Sequence, residues 1–349
     1  MLKKSSIALA CAALGFAQTA AAATIYQDNN DFINLYGEVG VGGHISANAK
    51  YSHGEFYAPK GYVDDSFATI GVNGRQGQLL YRVEMDYLRQ NWEGGDGEFT
   101  LLLNKLYLGY EFLPDQIVKF GLTDTAYDDY DQYGDLTFNS MAETGEAGDQ
   151  GNTIKYQGKF GQWIAGLSYT YEGSHPSGAE YGDIVNGYLG FMSSEFSVVI
   201  GAEGRGGSNG TSKYGEQWLF GLGARWQADE QLTLGFNGFV EDEALSTRDS
   251  NGTYLEYQTF RNYGAVLSAS YALTPQINLV AAGSYERYEA WDINSPNFDS
   301  SNIAPQYGRE RTWSTVGVHY WPAKNTVFAL EGRLGEAPEA AYAYARVYF

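Results

Sequence analysis

The last nine residues, Ala341-Tyr342-Ala343-Tyr344-Ala345-Arg346-Val347-Tyr348-Phe349, alternate without interruption up to an aromatic terminus. Successive side chains of a strand point to opposite faces, so Ala341, Ala343, Ala345, Val347 and Phe349 share one face. Tyr342, Tyr344, Arg346 and Tyr348 share the other, and the segment is a strand with one apolar side. The same two-faced pattern recurs from Phe32 onward, which is the signature of a transmembrane β-barrel: weak in each segment, strong in repetition.

Sixteen such segments can be drawn, at 32–45, 66–74, 79–91, 100–112, 116–122, 151–159, 162–172, 183–193, 196–205, 215–227, 231–242, 259–271, 276–290, 310–321, 326–335 and 341–349. In the third, Leu79, Tyr81, Val83, Met85 and Tyr87 oppose Arg82, Glu84 and Asp86. A soluble sandwich also alternates, so the chemistry of the faces decides. Here the apolar faces carry aromatics near their ends and aliphatics between, as a lipid-facing band with interfacial girdles requires. The opposite faces carry charge and glycine, which a water-filled lumen tolerates and a sandwich core does not. Tight turns such as Gly74-Arg75-Gln76-Gly77 and Leu113-Pro114-Asp115 alternate with long polar loops, of which 123–150 is the longest. Short turns at one rim and long loops at the other give a barrel its polarity, with the short turns periplasmic. The pattern shows no longer repeat and no linker, and reads as one domain, 24–349.

Residues 1–23 are expected to be a cleaved signal peptide: Lys3 and Lys4, an apolar run from Ile7 to Ala17, then Ala20 to Ala23 with cleavage after Ala22 or Ala23. The only cysteine, Cys11, lies inside it, so the mature chain is expected to have no disulfide and no cysteine metal site. Without Lys3 and Lys4 the chain keeps 20 basic residues against 42 acidic ones, a net −22. That balance disfavours nucleic acid as a partner. Past the leader no apolar stretch reaches about 18 residues, which excludes helical spans and leaves barrel spans open.

The order of several fragments resembles the general diffusion porins of Gram-negative outer membranes, over essentially the whole mature chain. They are Ile25-Tyr26, Leu35-Tyr36-Gly37, Ile70-Gly71-Val72-Asn73-Gly74, Lys105-Leu106-Tyr107-Leu108-Gly109-Tyr110, Phe120-Gly121 before the long loop, Asn152-Thr153-Ile154-Lys155-Tyr156 after it, and terminal Phe349. The resemblance implies a sixteen-stranded antiparallel barrel, a homotrimer in a lipid and lipopolysaccharide membrane, whose third loop folds into the lumen. It also implies passive diffusion of small hydrophilic solutes and ions, no cofactor, and a Phe349 that the barrel-assembly machinery reads.

In that family, acids on the loop face a cluster of cations on the wall. This loop carries Asp124, Asp128, Asp129, Asp131, Asp135, Glu143, Glu146 and Asp149, and lacks the family's Pro-Glu-Phe-Gly-Gly tip. The family's first-strand lysine position reads Glu38, its second-strand arginine position reads Thr69, and the position after the loop reads Asp149. Lys105 keeps the fourth-strand cation, while Arg82, Lys119 and Lys155 share its inward parity and Glu84 lies beside them. Carboxylates in a narrow ring concentrate cations and repel anions, so mild cation selectivity is expected.

Tyr127, Tyr130, Tyr133 and Phe138 are interleaved with the acids, and stacking on sugar rings would make a sugar or oligosaccharide porin the alternative. The plainer role for these rings is packing the loop on the wall. Asp129 to Asp135 is similar to the start of a calcium loop, but Ser140 stands where the bidentate glutamate belongs. His44, His53, His175 and His319 have no metal spacing. A barrel enzyme or a surface receptor are the other classes. A hydrolase needs a nucleophile and a base that converge, and Ser314 and His319 fall on opposite faces of one strand.

Overall fold

The computed structural model describes residues 22–46, 61–89, 99–129, 133–138, 146–174, 180–206, 217–248, 254–294, 309–336 and 340–349. Its strands, in chain order, are β1 Ala23–Asp28, β2 Asp31–Ser46, β3 Gly61–Asp64, β4 Phe67–Gln76, β5 Leu79–Arg89 and β6 Phe99–Leu113. There follow β7 Gln116–Asp124, β8 Asp149–Phe160, β9 Trp163–Ser174, β10 Glu180–Met192, β11 Phe196–Arg205 and β12 Gln217–Gln227. The last six are β13 Leu232–Arg248, β14 Tyr254–Thr274, β15 Ile277–Asn294, β16 Arg309–Ala323, β17 Thr326–Gly335 and β18 Ala340–Tyr348. All sixteen expected segments are present.

Each strand pairs antiparallel with its neighbours, and β18 closes the cylinder on β2 through Ala340↔Ser46 to Tyr348↔Glu38. Two strands were not anticipated. β1 pairs with the start of β2 (Ala23↔Leu35) on the side that β18 occupies further along, so it continues the line of β18. β3, inside the expected loop 46–65, pairs with the end of β2 and continues the line of β4 past a break at Asp65 and Ser66. Eighteen strands therefore fill sixteen places. The seam is sealed by the chain terminus, where the Gly37 and Phe349 amides each donate to the other residue's carbonyl, at 2.7 and 2.9 Å. Among the described residues, the sixteen wall strands other than the short β1 and β3 each have a partner on both sides, as a lipid environment demands.

The side chains are inside out relative to a soluble protein. Leu101, Leu108, Leu267 and Leu330 project outward and are 60% exposed or more, while Lys155 and Glu286 are fully buried inside. That is the polar interior and apolar outer band of a membrane barrel. Leu106→Arg, at the middle of the outward face of β6, is expected to destabilise the barrel by about 2–4 kcal/mol, as Arg does at a bilayer midplane. Urea titration of protein folded into liposomes checks this; an inward-facing control, Asn73→Arg, should cost far less.

β13, β14 and β15 run further than expected, to 248, from 254 and to 294. Just before these extensions their outward faces become polar: Arg261 donates to Asp242 at 2.5 and 2.6 Å, and Arg287 contacts Glu289 and Glu310 at 2.7 and 2.5 Å. The strands pass beyond the apolar band, and the hydrophobic alternation ends while the ladder continues. The expected leader, apart from its last two residues, lies outside the described residues.

Candidate functional site: the lumen and its third loop

The third loop leaves the wall as a paired neck, Asp124 opposite Asp149 and Thr123 opposite Gln150, with the Thr125 amide donating to the Gly148 carbonyl at 3.0 Å. It then turns inward because the inner wall takes up its polar groups. The Ala126 amide donates to Ser168 Oγ and Asn186 Oδ1, both at 2.9 Å, where water would be its only partner in an outward loop. A 3-10 turn at Tyr127–Asp129 then lays the Tyr127 ring, fully buried, on Val199 and Leu219. Gly201 beneath it leaves room: a Cβ there would lie 2.8 Å from the ring.

Further on, the Gly134 carbonyl accepts from Ser268 Oγ at 2.7 Å, and the Gly134 Cα rests against the Phe236 carbonyl and Asn237. At the far side the Phe138 amide donates to Glu331 Oε1 at 2.9 Å, and the same oxygen meets His319 Nε2 at 2.8 Å. The Phe138 ring lies 4.6 Å from the His319 ring and 4.6 Å from the Arg346 guanidinium. On the return limb the Ala147 amide donates to Glu203 at 3.3 Å, and Ala147 packs with Tyr181 and Ile184. The loop thus reaches from the β7–β8 neck across to β16, β17 and β18, and narrows the passage to the side walled by β2, β4, β5 and β6.

Two of the expected constriction acids do a different job. Asp124 pairs with Lys155, whose ammonium also donates to the Thr125 carbonyl at 3.2 Å, and lies 3.7 Å from Lys105. Asp149 pairs with Lys105. These acids clamp the neck and neutralise wall lysines. Asp135 caps its own turn, accepting from the Thr137 amide and hydroxyl at 2.9 Å each. Asp128 and Glu146 are half-buried on the loop. Asp131, Glu143 and Tyr130, and the side chain of Asp129, lie outside the described residues, as does most of the calcium-like run. Tyr133 packs beside Tyr127 in the loop's seat. The described tyrosines therefore hold the loop on the wall, and Tyr127 offers no face to a sugar.

The wall opposite the loop is built in rows set by strand register. One row runs Tyr348, Glu38, Thr69, Asp86 across β18, β2, β4 and β5. Thr69 donates to Asp86 at 2.7 Å, and Glu38 lies 3.6 Å from Arg346. The next row toward the short turns holds Tyr36, Gly71, Glu84 and Lys105. Gly71 is required there because the Tyr36 ring lies across it to reach Glu84 at 2.7 Å. Arg82 donates to Glu84 and to the Tyr36 hydroxyl at 2.5 Å each, and Asn104 donates to Glu84 at 3.0 Å. Lys119 stands 4.9 Å over the Tyr107 ring. Three of the four expected wall cations, Arg82, Lys105 and Lys155, are thus matched by carboxylates. His319 faces the lumen on Glu331 and Ser314 faces outward, so that pair makes no nucleophile and base.

No family model and no curated protein matches the sequence. Solved structures do match. OmpF of Salmonella typhi, in complex with daunomycin, superposes with a TM-score of 0.67 at 14% identity, over 94% of this chain and all of that one. The chain has the porin fold. A trimer form of OmpT, an outer membrane protein of Vibrio cholerae, gives 0.63 at 14% identity, over 92% of this chain and 100% of that one. An anion-selective porin from Comamonas acidovorans gives 0.58 at 12%, over 91% and 100%. That neighbour is anion-selective, so the shared fold does not by itself imply a preference for cations.

Proposed function

We propose that this chain is an outer-membrane porin, a water-filled passage for passive diffusion of small hydrophilic solutes and ions with mild preference for cations. The observation that carries the sign is the Tyr348–Glu38–Thr69–Asp86 row. It puts two carboxylates on the wall, Glu38 at the position where the resembled family has a lysine and Asp86 beside Thr69 at its arginine position, and the neighbouring wall cations Arg82, Lys105 and Lys155 have acidic partners. Charges lining a narrow low-dielectric passage raise the local concentration of counter-ions, an effect screened as salt rises. Neutralising Glu38 and Asp86 together (Glu38→Gln, Asp86→Asn) is expected to lower the cation-to-anion permeability ratio about twofold or more at low salt. Reversal potentials measured for the variant and the parent check this.

Export by the residue 1–23 leader, recognition of Phe349 by the assembly machinery, and a homotrimer complete the reading. Support for the trimer is the trimeric neighbour and the outward Ala341, Ala343 and Ala345 of β18, which leave room for a second wall to approach. Uptake of sugars of increasing size into proteoliposomes tests the passive channel. Graded rates that fall with size and do not saturate are expected; a saturable rate for one sugar would favour the sugar porin.

A further inference from the structure

Arg346 belongs to no expected site, yet it stands where the loop tip meets the wall. Its guanidinium lies 4.6 Å from the Phe138 ring centre, 5.3 Å from that of Phe67 and 5.5 Å from that of Tyr344. The three rings come from the third loop, β4 and β18. Register puts Arg346 and Phe67 on either side of Gly40, and a Cβ at Gly40 would collide with the Phe67 ring. The glycine thus lets Phe67 lie flat toward the arginine. Tyr348 stands opposite Glu38 in the next row, and Glu38 faces the guanidinium at 3.6 Å.

A planar, permanently charged group can stack on several rings at once, whereas a lysine ammonium is a point charge that serves one or two. The geometry points to Arg346 as the residue that positions the loop tip through the Phe138 ring and, at the same time, moderates the cation preference set by Glu38. This rests on the porin reading for its second half only; the first is a statement about where the loop sits. The Glu331 anchor holds the Phe138 backbone, while its ring sits against the His319 ring and the Arg346 guanidinium, each at 4.6 Å, and Phe67 and Tyr344 in turn flank the guanidinium, so Arg346 holds one side of the ring's seat.

The test uses the absence of cysteine from the chain beyond Cys11. Thr137→Cys, beside the tip, is labelled with a charged thiol reagent in the folded full barrel, with gel mobility before and after heating as the control for folding. Arg346→Gln and Phe138→Leu are each expected to speed labelling about tenfold, the loss of cation–π contacts to partly desolvated rings. Combined, they should do no more than either alone. Arg346→Gln should also raise cation selectivity, because Glu38 loses its counter-charge. Arg346→Lys should speed labelling while shifting selectivity less than Arg346→Gln. Unchanged labelling in both Arg346→Gln and Phe138→Leu, or effects that add, would overturn the positioning role. A selectivity shift in Arg346→Gln without faster labelling would reduce Arg346 to a charge. Absence of current from every folded variant would instead refute the porin reading, with the labelling rates still judging the loop.

Discussion

Gly134→Val should free the third loop from its seat and raise single-channel conductance about twofold, since a sixteen-strand barrel is an open aqueous channel wherever no loop fills it. The Gly134 backbone lies directly on β13, and any Cβ would overlap the Phe236 carbonyl and Asn237 Oδ1. The Asn237 amide can turn aside but the Phe236 carbonyl cannot, because it belongs to the β13 ladder, and Gly235 next to it is itself needed to clear the Gly134 carbonyl. The cheaper response is for the loop to lift, breaking the Ser268 hydrogen bond and loosening the tip at Phe138. Overpacking a fixed wall would cost about 1–3 kcal/mol, more than one loop hydrogen bond contributes. Planar-bilayer recording checks the outcome; an unchanged conductance would mean that the loop's path does not limit the passage.

The second large effect concerns stability. Asp124→Asn removes the carboxylate that faces both Lys155 and Lys105, leaving Lys155, fully buried between β7 and β9, without that counter-charge. Removing one partner of a buried ion pair costs about 3–5 kcal/mol, because the remaining charge has lost its water as well. The neck of the loop depends on the same group, so Asp124→Asn should also broaden current levels. The double variant Asp124→Asn, Lys155→Met should recover much of the loss, since no buried charge is then stranded and the two changes share one contact. Urea unfolding in liposomes, followed by tryptophan fluorescence, measures both. A single-variant loss under about 1 kcal/mol would show a hydrated pair of the kind found on protein surfaces.

The barrel itself was legible because lipid and lumen impose opposite chemistries on alternate residues. Leu79 through Tyr87 shows this in nine positions, and all sixteen places around the wall were read the same way. β3 escaped because four residues, Gly61–Asp64, are too few to show a period. β1 escaped because Ala23 doubles as leader boundary and strand start. The outer ends of β13 to β15, 243–248, 254–258 and 291–294, escaped because the apolar signal that marks a strand already fades before them, at Asp242, Arg261 and Arg287 on the outward face.

The site was legible in its residue types and less so in their roles. Parity assigned Arg82, Lys119 and Lys155 to the inner face, and the resemblance assigned Glu38, Thr69 and Lys105 to the wall. What each does depends on partners distant in sequence: Gly134 meets Ser268 across 134 residues, and Phe138 meets Glu331 across 193. No local pattern encodes such contacts, and for that reason Asp124 and Asp149 read as constriction acids when they are neck clamps. Arg346 was visible as the charged member of the last strand's polar face. A signal that could have singled it out was the pairing of Gly40 with Phe67, a glycine opposite a large ring on a lumen-facing row.

A water-filled passage whose constriction favours cations shows its preference in the reversal potential. Its most direct test is single-channel recording across a potassium chloride gradient, beginning at low salt where the wall charges are least screened. Stepwise openings are expected, with a reversal potential on the potassium side that declines as both solutions are made more concentrated. A reversal potential on the chloride side would contradict it, placing control with Lys119, Arg82 and Arg346 rather than with Glu38 and Asp86.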